Sequence, residues 1–280
     1  MSAVRSLANA VIPRFLHPAA RRAALRSGLM KLPAPQYPFR DQLDLIGTSR
    51  PQYLWGTLCA AFHAKHLGLP RISVIEFGVA GGKGLLELER LAGIVEGLSG
   101  VGIDVYGFDT GTGLPKPQDY RDLPQMWREG SFGMDVPQLK GRLTRAKLVL
   151  GLVKETVPRF LAEQPAPVGF VAFDLDLYTS TMDAFEIFRG DPGRTLPRVT
   201  CYFDDILGYS YGDFNGERLA ISDFNASRAD RKISQIYGLR HILGRDDWWI
   251  DMAFMLHCFE HPAATAFDGQ LAFSELPLAR

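Results

Sequence analysis

Residues 73–88 read Ser-Val-Ile-Glu-Phe-Gly-Val-Ala-Gly-Gly-Lys-Gly-Leu-Leu-Glu-Leu. The apolar run Ile72–Phe77 predicts a buried strand, and a cluster of glycines follows it at positions 78, 81, 82 and 84. Leucines then recur at helical spacing from Leu85 onward. A strand, a tight glycine turn and a helix are typical of the first unit of a doubly wound α/β sheet. The glycines would let the backbone approach a ligand closely, although such a turn also occurs without any ligand.

The composition describes a chain with enough apolar residues for a large core and with no overall charge. Of its 280 residues, 46% are hydrophobic, and Lys plus Arg equals Asp plus Glu at 31 each. This balance argues against the global positive field of a nucleic-acid-binding protein, so we expect no nucleic-acid partner. The basic residues are concentrated at the start, because residues 1–40 contain seven of them and no acid.

Cysteine usage and hydropathy indicate the compartment. Cys59, Cys201 and Cys258 show neither paired spacing nor a zinc pattern, and small buried side chains in a reducing compartment are expected. No apolar run approaches the roughly 18 residues of a membrane-spanning helix, and the start lacks the pattern of a secretory signal. We therefore expect a cytoplasmic protein without a membrane span.

The first 36 residues are predicted to be a basic extension, and residues 37–280 one folded domain. Apolar residues between Val4 and Ile12 could line one face of a short helix, but Pro13 and Pro18 interrupt the pattern. The extension could be a surface-seeking helix or a basic arm. It could equally be an oligomer contact, a cap over the active site or a loose tail. The apolar residues near Tyr37 favour self-association, so a homo-oligomer is one possible state.

The rest of the chain alternates strands and helices. A mostly helical region, Leu43–Leu67, precedes the first strand. Further strands are predicted at 104–109, 147–152, 168–174 and 198–205, and helices at 84–97, 155–163, 181–188 and 216–227. Two runs, 236–243 and 252–259, are expected to close the sheet as an antiparallel pair. The order predicts an α/β fold with a doubly wound, mostly parallel seven-stranded sheet and helices on both faces.

Acidic residues follow two neighbouring strands of this predicted sheet. Asp174 ends the fourth strand and Asp176 follows two residues later, while the pair Asp204–Asp205 ends the fifth strand. Adjacent parallel strands bring their carboxyl ends together in the crevice where such sheets bind ligands. Converging carboxylates repel one another, and Mg²⁺, Mn²⁺ or Ca²⁺ would relieve that repulsion. Alternatively, these acids cap helices or occupy separate solvated positions.

Two other features are candidates for binding. Asp109 ends the second strand, where nucleotide-binding α/β folds place an acid that accepts hydrogen bonds from ribose hydroxyls, although it could simply begin a turn. The long segment 110–140, which contains Trp127 and Phe132, could form a functional loop over a site. His63 and His66 share a helix face but lack a third ligand nearby, so packing or surface roles are favoured over metal binding.

Seven motifs in a fixed order carry a resemblance to a known family. They are EFGVAGG (76–82), VYGFDTGTGLP (105–115), WREGSF (127–132), GLVKETVP (151–158), DLDLYTST (174–181), FDD (203–205) and GERLAISDF (216–224). The chain resembles the class I S-adenosylmethionine-dependent methyltransferases. Within them it resembles the macrocin O-methyltransferase type, which methylates sugar hydroxyls. The resemblance covers about residues 70–225, and it departs from the common loop at Ala80, where class I enzymes usually have glycine.

The resemblance implies a Rossmann-like methyltransferase fold, S-adenosyl-L-methionine as cofactor and Mg²⁺ as a metal. It also implies a small-molecule acceptor with a hydroxyl, such as a sugar or polyol. For the matched positions, it implies that Gly78 and Gly82 cradle the methionine part, that Glu76 supports the loop and that Asp109 holds the ribose. It further implies metal ligands and a general base: Asp174, Asp204 and Asp205 would bind Mg²⁺, Asp174 could also act as the base, and Asp176 would lie beside them.

Three other functions remain open at this point. Asp174-Leu-Asp176 is also typical of the metal-binding Asp-x-Asp of nucleotide-sugar glycosyltransferases, although the glycine loop after the first strand argues against that class. An NAD-dependent dehydrogenase is disfavoured, because the glycines at 78, 81, 82 and 84 do not give Gly-x-Gly-x-x-Gly. A non-catalytic binding protein with this cofactor fold is the third possibility.

Overall fold

The computed structural model describes residues 18–27 and 31–264 of the chain. Its centre is a seven-stranded sheet in the order β3-β2-β1-β4-β5-β7-β6. The first five strands run parallel, whereas β7 lies antiparallel to both β5 and β6. The strands are β1 (Arg71–Phe77), β2 (Gly102–Asp109), β3 (Lys147–Leu150), β4 (Val168–Phe173), β5 (Thr195–Phe203), β6 (Arg231–Gln235) and β7 (Ala253–Cys258).

Helices cover both faces of the sheet. One group packs together as α2, α3 and α4, and the other as α6, α7 and α8. The helices are α1 (Pro18–Arg26), α2 (Arg40–Leu45), α3 (Pro51–His66), α4 (Lys83–Ser99), α5 (Val136–Arg142), α6 (Val153–Ala162), α7 (Tyr178–Ala184), α8 (Gly216–Ser227) and α9 (Leu239–Leu243). None of the helices in the described residues combines the length and hydropathy needed to cross a membrane.

The central strands are apolar throughout because both faces of the sheet are covered. Every residue of β4 is buried, and aromatic rings stack across the last register positions of β1, β4 and β5. The Phe173 ring lies parallel to the Phe203 ring at 4.7 Å and near-parallel to the Phe77 ring at 5.6 Å. This ring stack forms a rigid floor directly beneath the carboxyl ends of the strands.

The C-terminal antiparallel pair is confirmed, but one of its strands was predicted in the wrong place. The edge strand is β6, and residues 239–243 of the predicted strand 236–243 form α9 instead. Leu239 and Leu243 are both buried and four residues apart, which is the spacing of one helical face. Gly238, at φ +74°, supplies the turn between the two elements. The edge strand itself is polar, which explains why its pattern was missed.

Other differences from the predicted elements are small. The helical region 43–67 is two helices, because α2 ends at Leu45 and α3 starts at Pro51. Helix α4 continues to Ser99, where Gly100 in the left-handed conformation ends it. The three cysteines are free.

The predicted short helix at residues 4–12 lies outside the described residues. Two contacts tie the described part of the extension to α2. The guanidinium of Arg21 lies 2.7 Å from the Asp41 carboxylate, and the Gln42 side-chain amide donates to the Pro33 carbonyl at 2.8 Å.

Candidate cofactor and metal site

Backbone hydrogen bonds align the carboxyl ends of four strands in one row. The backbone N–H of Gly78 donates to the carbonyl oxygen of Phe108 at 2.9 Å. In the same way, the N–H of Asp174 donates to the Phe77 carbonyl and the N–H of Asp204 to the Phe173 carbonyl, both also at 2.9 Å. The ladder therefore continues one residue past each strand. It sets the order along the sheet edge as Asp109, Gly78, Asp174 and Asp204.

A cavity of about 750 Å³ opens above this row. Its walls are the residues that follow the strands, the segment 113–132 and the first turns of α6 and α7. Five of the predicted site residues line it, namely Gly78, Asp109, Asp174, Asp204 and Asp205. Glu76 and Gly82 are buried and do not line it. The structure therefore brings most of the predicted residues into one space.

Three aspartates converge at one end of the cavity. Asp174, Asp204 and Asp205 each present a carboxylate oxygen, and these oxygens lie within 4.8 Å of one another. Asp205 is buried, whereas the other two are partly exposed to the cavity. No Lys or Arg of the described residues lies within salt-bridge distance of them. The cluster is therefore a concentration of negative charge without a paired cation from this part of the chain.

Neighbouring groups hold two of these carboxylates in place. The Tyr202 hydroxyl donates to Asp204 Oδ1 at 2.7 Å, and the Tyr211 hydroxyl donates to Asp205 Oδ1 at 3.0 Å. The backbone N–H of Asp176 donates to Asp205 Oδ2 at 2.9 Å. We find no hydrogen bond to the Asp174 carboxylate from the described residues. Asp174 is thus the member of the cluster whose oxygens remain available.

Burial and mutual repulsion raise the pKa values of Asp174, Asp176 and Asp205. Burial is the larger cause for the Asp174 carboxyl, whose pKa rises to about 9, and the Asp204 and Asp205 charges raise it further. Burial also raises the pKa of Asp176 to about 8 and that of Asp205 to about 6. A group of acids that resist ionisation together gains stability when a proton or a cation joins them.

Glu217 is a site residue to which the sequence analysis gave no role. It is fully buried below the cluster, and its Oε2 accepts the N–H of Asp205 at 3.1 Å. Burial raises its pKa well above the ordinary value, and Oε1 has no hydrogen-bond partner within the described part of the chain. A sequence signal existed, because Glu217 stands on the same face of α8 as the buried Ala220, Ile221 and Phe224.

Internal packing explains two glycines of the loop after β1, Gly78 and Gly82. A Cβ at Gly78 would lie 1.7 Å from the Asp174 carbonyl oxygen, and one at Gly82 would lie 2.3 Å from the Leu139 side chain. Both residues have φ near +80°, a conformation that L side chains rarely adopt. Gly78 is therefore required for contact between the β1 and β4 loops. This requirement exists whether or not a ligand is bound.

Glu76 is buried behind the loop. The Tyr53 hydroxyl donates to its Oε1 at 2.6 Å, and Gly84 leaves room for that oxygen, since a Cβ there would lie 1.8 Å from it. Burial raises the pKa of Glu76 to about 8. Its Oε2 is buried and accepts no hydrogen bond from residues 18–27 or 31–264. The carboxyl group thus fixes α3, β1 and the start of α4 to one another.

Asp109 holds the glycine loop and begins a turn. Its Oδ2 accepts the N–H groups of Val79 and Ala80, both at 2.9 Å, and its Oδ1 accepts that of Gly111 at 2.7 Å. The turn considered as an alternative is therefore present. A carboxylate oxygen accepts two hydrogen bonds, so Oδ1 retains capacity on the cavity side. The ribose role stays a prediction.

The segment 110–140 forms a wall of the cavity. The ring centroids of Trp127 and Phe132 lie 5.9 Å apart, and both residues line the space. A fully buried carboxylate, Asp122, ties this wall to α7, because it accepts the N–H of Gln118 and both the N–H and the hydroxyl of Thr179. Sequence reasoning missed Asp122, since its partner lies 57 positions away.

The two histidines take no part in this site. Burial lowers the pKa of His63 to about 4, and neither His63 nor His66 belongs to a metal-binding group among the described residues.

Comparison with known proteins gives structural matches alone. No protein-family model matches the chain, and no curated protein sequence matches it. It is similar to the crystal structure of CalS11, calicheamicin methyltransferase, with 23% identity and a TM-score of 0.51 over 86% of this chain and 91% of that one. MycE methyltransferase from the mycinamycin biosynthetic pathway, in complex with Mg, SAH and mycinamycin VI, matches at 13% identity and a TM-score of 0.40 over 95% of this chain and 65% of that one. The likeness to CalS11 shows that the chain has the Rossmann-like methyltransferase fold, which confirms the predicted fold class.

Proposed function

We propose that this protein is an S-adenosyl-L-methionine-dependent O-methyltransferase, assisted by a divalent cation, that acts on a hydroxyl of a sugar, polyol or related small molecule. The observation that carries the proposal is that one cavity contains both the loop after β1 with Asp109 and the three aspartates after β4 and β5. Fold alone does not fix an activity, so the argument rests on these residues.

The cavity suits an extended cofactor. Asp109, Gly78 and Asp174 follow one another along the sheet edge, so a ribose at Asp109 would direct an attached methionine chain past the loop toward the acids. The free acceptor capacity of Asp109 Oδ1 suits a ribose hydroxyl, which is a hydrogen-bond donor. When bound, S-adenosylmethionine supplies a methyl group on a positively charged sulfur, which is the electrophile of the reaction.

The acidic cluster suits a hard cation. Its donors are carboxylate oxygens without His or Cys, the set that Mg²⁺ and Mn²⁺ prefer over zinc. Asp174, Asp204 and Asp205 would hold the ion. Burial first and repulsion second raise the pKa values of Asp174 and Asp205, and the ion would remove the repulsion. A bound cation also makes a nearby hydroxyl more acidic.

The chain's own residues would position the acceptor and take its proton. Asp174 is suited to be the general base, because its carboxylate faces the cavity and has no hydrogen-bond donor among the described residues. Tyr202 and Tyr211 fix the orientations of Asp204 and Asp205. The wall with Trp127 and Phe132 would exclude water and hold the reactants in line, which is the main contribution a protein makes to such a transfer.

Two other functions receive less support. In a glycosyltransferase, Asp174 and Asp176 would hold the metal together, but Asp176 lies outside the group of converging oxygens. Its backbone is left-handed at φ +60°, and its backbone N–H donates to Asp205 Oδ2. A non-catalytic binding protein would not need a carboxylate such as that of Asp174, which lines the cavity and accepts no hydrogen bond from the described residues.

Replacement of the cluster residues tests the metal role directly. We expect Asp204→Ala and Asp205→Ala each to weaken Mn²⁺ binding, measured by calorimetry, by at least about tenfold, because each removes one of three ligands. Methyl transfer from S-adenosylmethionine to a panel of sugars and polyols should fall in parallel, while affinity for S-adenosylhomocysteine stays within about threefold. Asp213→Ala is the control, since Asp213 lies on the same loop but is exposed and paired with Arg218.

The opposite results separate the competing functions. Full methyl transfer in excess EDTA would remove the metal from the mechanism. Binding of a nucleotide sugar together with failure to bind S-adenosylhomocysteine would favour a glycosyltransferase. Cofactor binding without transfer to any acceptor hydroxyl in the panel would favour a binding protein.

A further inference from the structure

Asp205 is the member of the acidic cluster that its neighbours hold most completely. One of its carboxylate oxygens accepts the Tyr211 hydroxyl at 3.0 Å, and the other accepts the Asp176 backbone N–H at 2.9 Å. Among the described residues, Asp204 has a hydrogen bond to one of its oxygens, and Asp174 has none to either. The cluster therefore contains one carboxylate whose direction is fixed through both oxygens.

The backbone N–H of Asp205 lies beyond the hydrogen-bond ladder of the sheet. The ladder between β4 and β5 ends with the N–H of Asp204, which donates to the Phe173 carbonyl. On the other side of β5, the pairing with β7 ends at Tyr202. A buried N–H needs a partner, and that of Asp205 donates to Glu217 Oε2 at 3.1 Å. Glu217 thus stands in for the strand partner that Asp205 lacks.

Glu217 reaches Asp205 from the first turn of α8. A Cβ at Gly216, the first residue of this helix, would lie 3.9 Å from the Asp176 carbonyl oxygen, so the helix begins beside the loop after β4. The Glu217 side chain is fully buried, and its oxygens do not belong to the group of converging carboxylate oxygens. Glu217 can therefore act on the cluster through Asp205, but not as a further ligand in this arrangement.

We propose that Glu217 is a positioning residue for the metal site: by accepting the Asp205 N–H, it sets where the Asp205 carboxylate stands and favours Mn²⁺ and Mg²⁺ over Ca²⁺. The inference rests on the proposed function, which assigns a cation to the cluster. Mg²⁺ requires near-ideal octahedral geometry, whereas Ca²⁺ accepts roughly six to eight oxygens in variable arrangements. A carboxylate held through its N–H and both oxygens therefore suits the smaller ions.

Substitution of Glu217 separates its hydrogen bond from its charge. Glu217→Met keeps the size of the side chain but removes the acceptor, whereas Glu217→Gln keeps an acceptor oxygen but cannot be charged. We expect Glu217→Met to weaken Mn²⁺ binding by about tenfold or more and Ca²⁺ binding by about threefold or less, both measured by calorimetry. Glu217→Gln should keep the Mn²⁺ affinity within about threefold of the wild type, because the Asp205 N–H retains its acceptor.

Ile221→Ala is the matched control. Ile221 is buried on the same face of α8, but its side chain cannot form a hydrogen bond. This variant should lower the melting temperature and keep the wild-type ratio of Mn²⁺ to Ca²⁺ affinity, which separates positioning from a general loss of stability. Glu217→Ala, titrated in the same way, takes the place of Glu217→Met if the latter does not fold.

Three results would overturn the inference and leave the proposed function intact. An unchanged affinity ratio in the folded Met or Ala variant would show that Asp205 keeps its position without this hydrogen bond. Equal losses of Mn²⁺ affinity in Glu217→Gln and Glu217→Met would show that Glu217 acts by its charge. A wild type that prefers Ca²⁺ to Mn²⁺, a result that needs no variant, would show that the site does not select the smaller ion. If the wild type binds neither ion, the metal part of the proposed function fails and this inference fails with it.

Discussion

At the scale of single residues, the site depends on buried carboxyl groups that are only partly satisfied. Among the residues that the structure describes, Glu76 and Glu217 each have one oxygen in a hydrogen bond and one buried oxygen without a partner. Burial penalises the charged form and raises the pKa of both groups. Burial also raises the pKa of the nearby Asp174, whose carboxylate accepts no hydrogen bond from the described residues. Buried acids support the loops, and a more accessible acid faces the cavity.

Glu76→Gln should change how stability depends on pH. The folded-state pKa of Glu76 is about 8 against an ordinary 4.5, so the folded state holds the proton more firmly than the unfolded state. The contribution of Glu76 to the free energy of unfolding is complete below pH 4.5 and is lost as the pH rises toward 8. Glutamine keeps the acceptor for Tyr53 and has no proton to lose.

Urea unfolding of both proteins between pH 5 and 8.5 measures this difference. As the pH rises through this range, the free energy of unfolding of the wild type should fall by up to about 1.4 kcal/mol per pH unit more than that of the variant. Glu163→Gln, an exposed change of the same kind, should follow the wild type. Parallel curves for Glu76→Gln and the wild type would mean that Glu76 is ionised in the folded protein.

At the scale of elements, the unit β1–loop–α4 is shaped by its contacts with α3 and β4. Gly78 admits the Asp174 carbonyl, and Gly84 admits the Glu76 carboxyl. Asp109 fixes the loop from the side of β2. The loop is therefore held in position by residues from several elements before any ligand contributes.

Two glycines of α4 should respond oppositely to alanine. Gly84→Ala should destabilise the fold by about 1–3 kcal/mol, because the new methyl group meets Glu76 Oε1. Gly93→Ala, on the exposed side of the same helix with open space around it, should stabilise the fold by up to about 1 kcal/mol. Thermal unfolding of both variants checks this. Equal effects would contradict the role given to Gly84.

At this scale, the sequence predicted features that depend on local patterns and missed those that depend on contacts between residues far apart in the chain. The strand ends at Asp109, Asp174 and Asp204 were predictable, because apolar runs followed by polar residues are local patterns. The supporting hydrogen bonds of Tyr53 and Asp122 were not predictable, since their partners lie 23 and 57 positions away in the sequence. The error at 236–243 arose because Leu239 and Leu243 fit a short strand or a single helical turn. The spacing of these two leucines alone did not distinguish a strand from a helix.

At the scale of the whole molecule, the sheet order creates the site. Residues more than a hundred positions apart, such as Gly78 and Asp204, lie in one row at the sheet edge because β4 pairs with both β1 and β5. The stacked rings of Phe77, Phe173 and Phe203 hold these strand ends at fixed spacing. The extension predicted for residues 1–36 contacts this body through Arg21 and Pro33, both against α2.

A chain that starts at Tyr37 tests the predicted domain boundary. We expect it to fold and to bind S-adenosylhomocysteine as the full chain does, because the cavity residues all follow position 77. Loss of the Arg21–Asp41 and Gln42–Pro33 contacts should lower the melting temperature by about 2–4 °C relative to a chain that starts at Pro18. A shortened chain that does not fold would place the boundary before residue 37.

The measurement that tests the central claim most directly is calorimetric titration with S-adenosylhomocysteine of the wild type, Asp109→Ala and Asp104→Ala. Asp104 lies on the same strand and forms a surface ion pair with Arg71, so it controls for loss of an acid. We predict binding to the wild type and the control, and at least about thirtyfold weaker binding to a folded Asp109→Ala, because the ribose loses its acceptor. Absence of binding to the wild type, or equal binding by all three, would contradict the account.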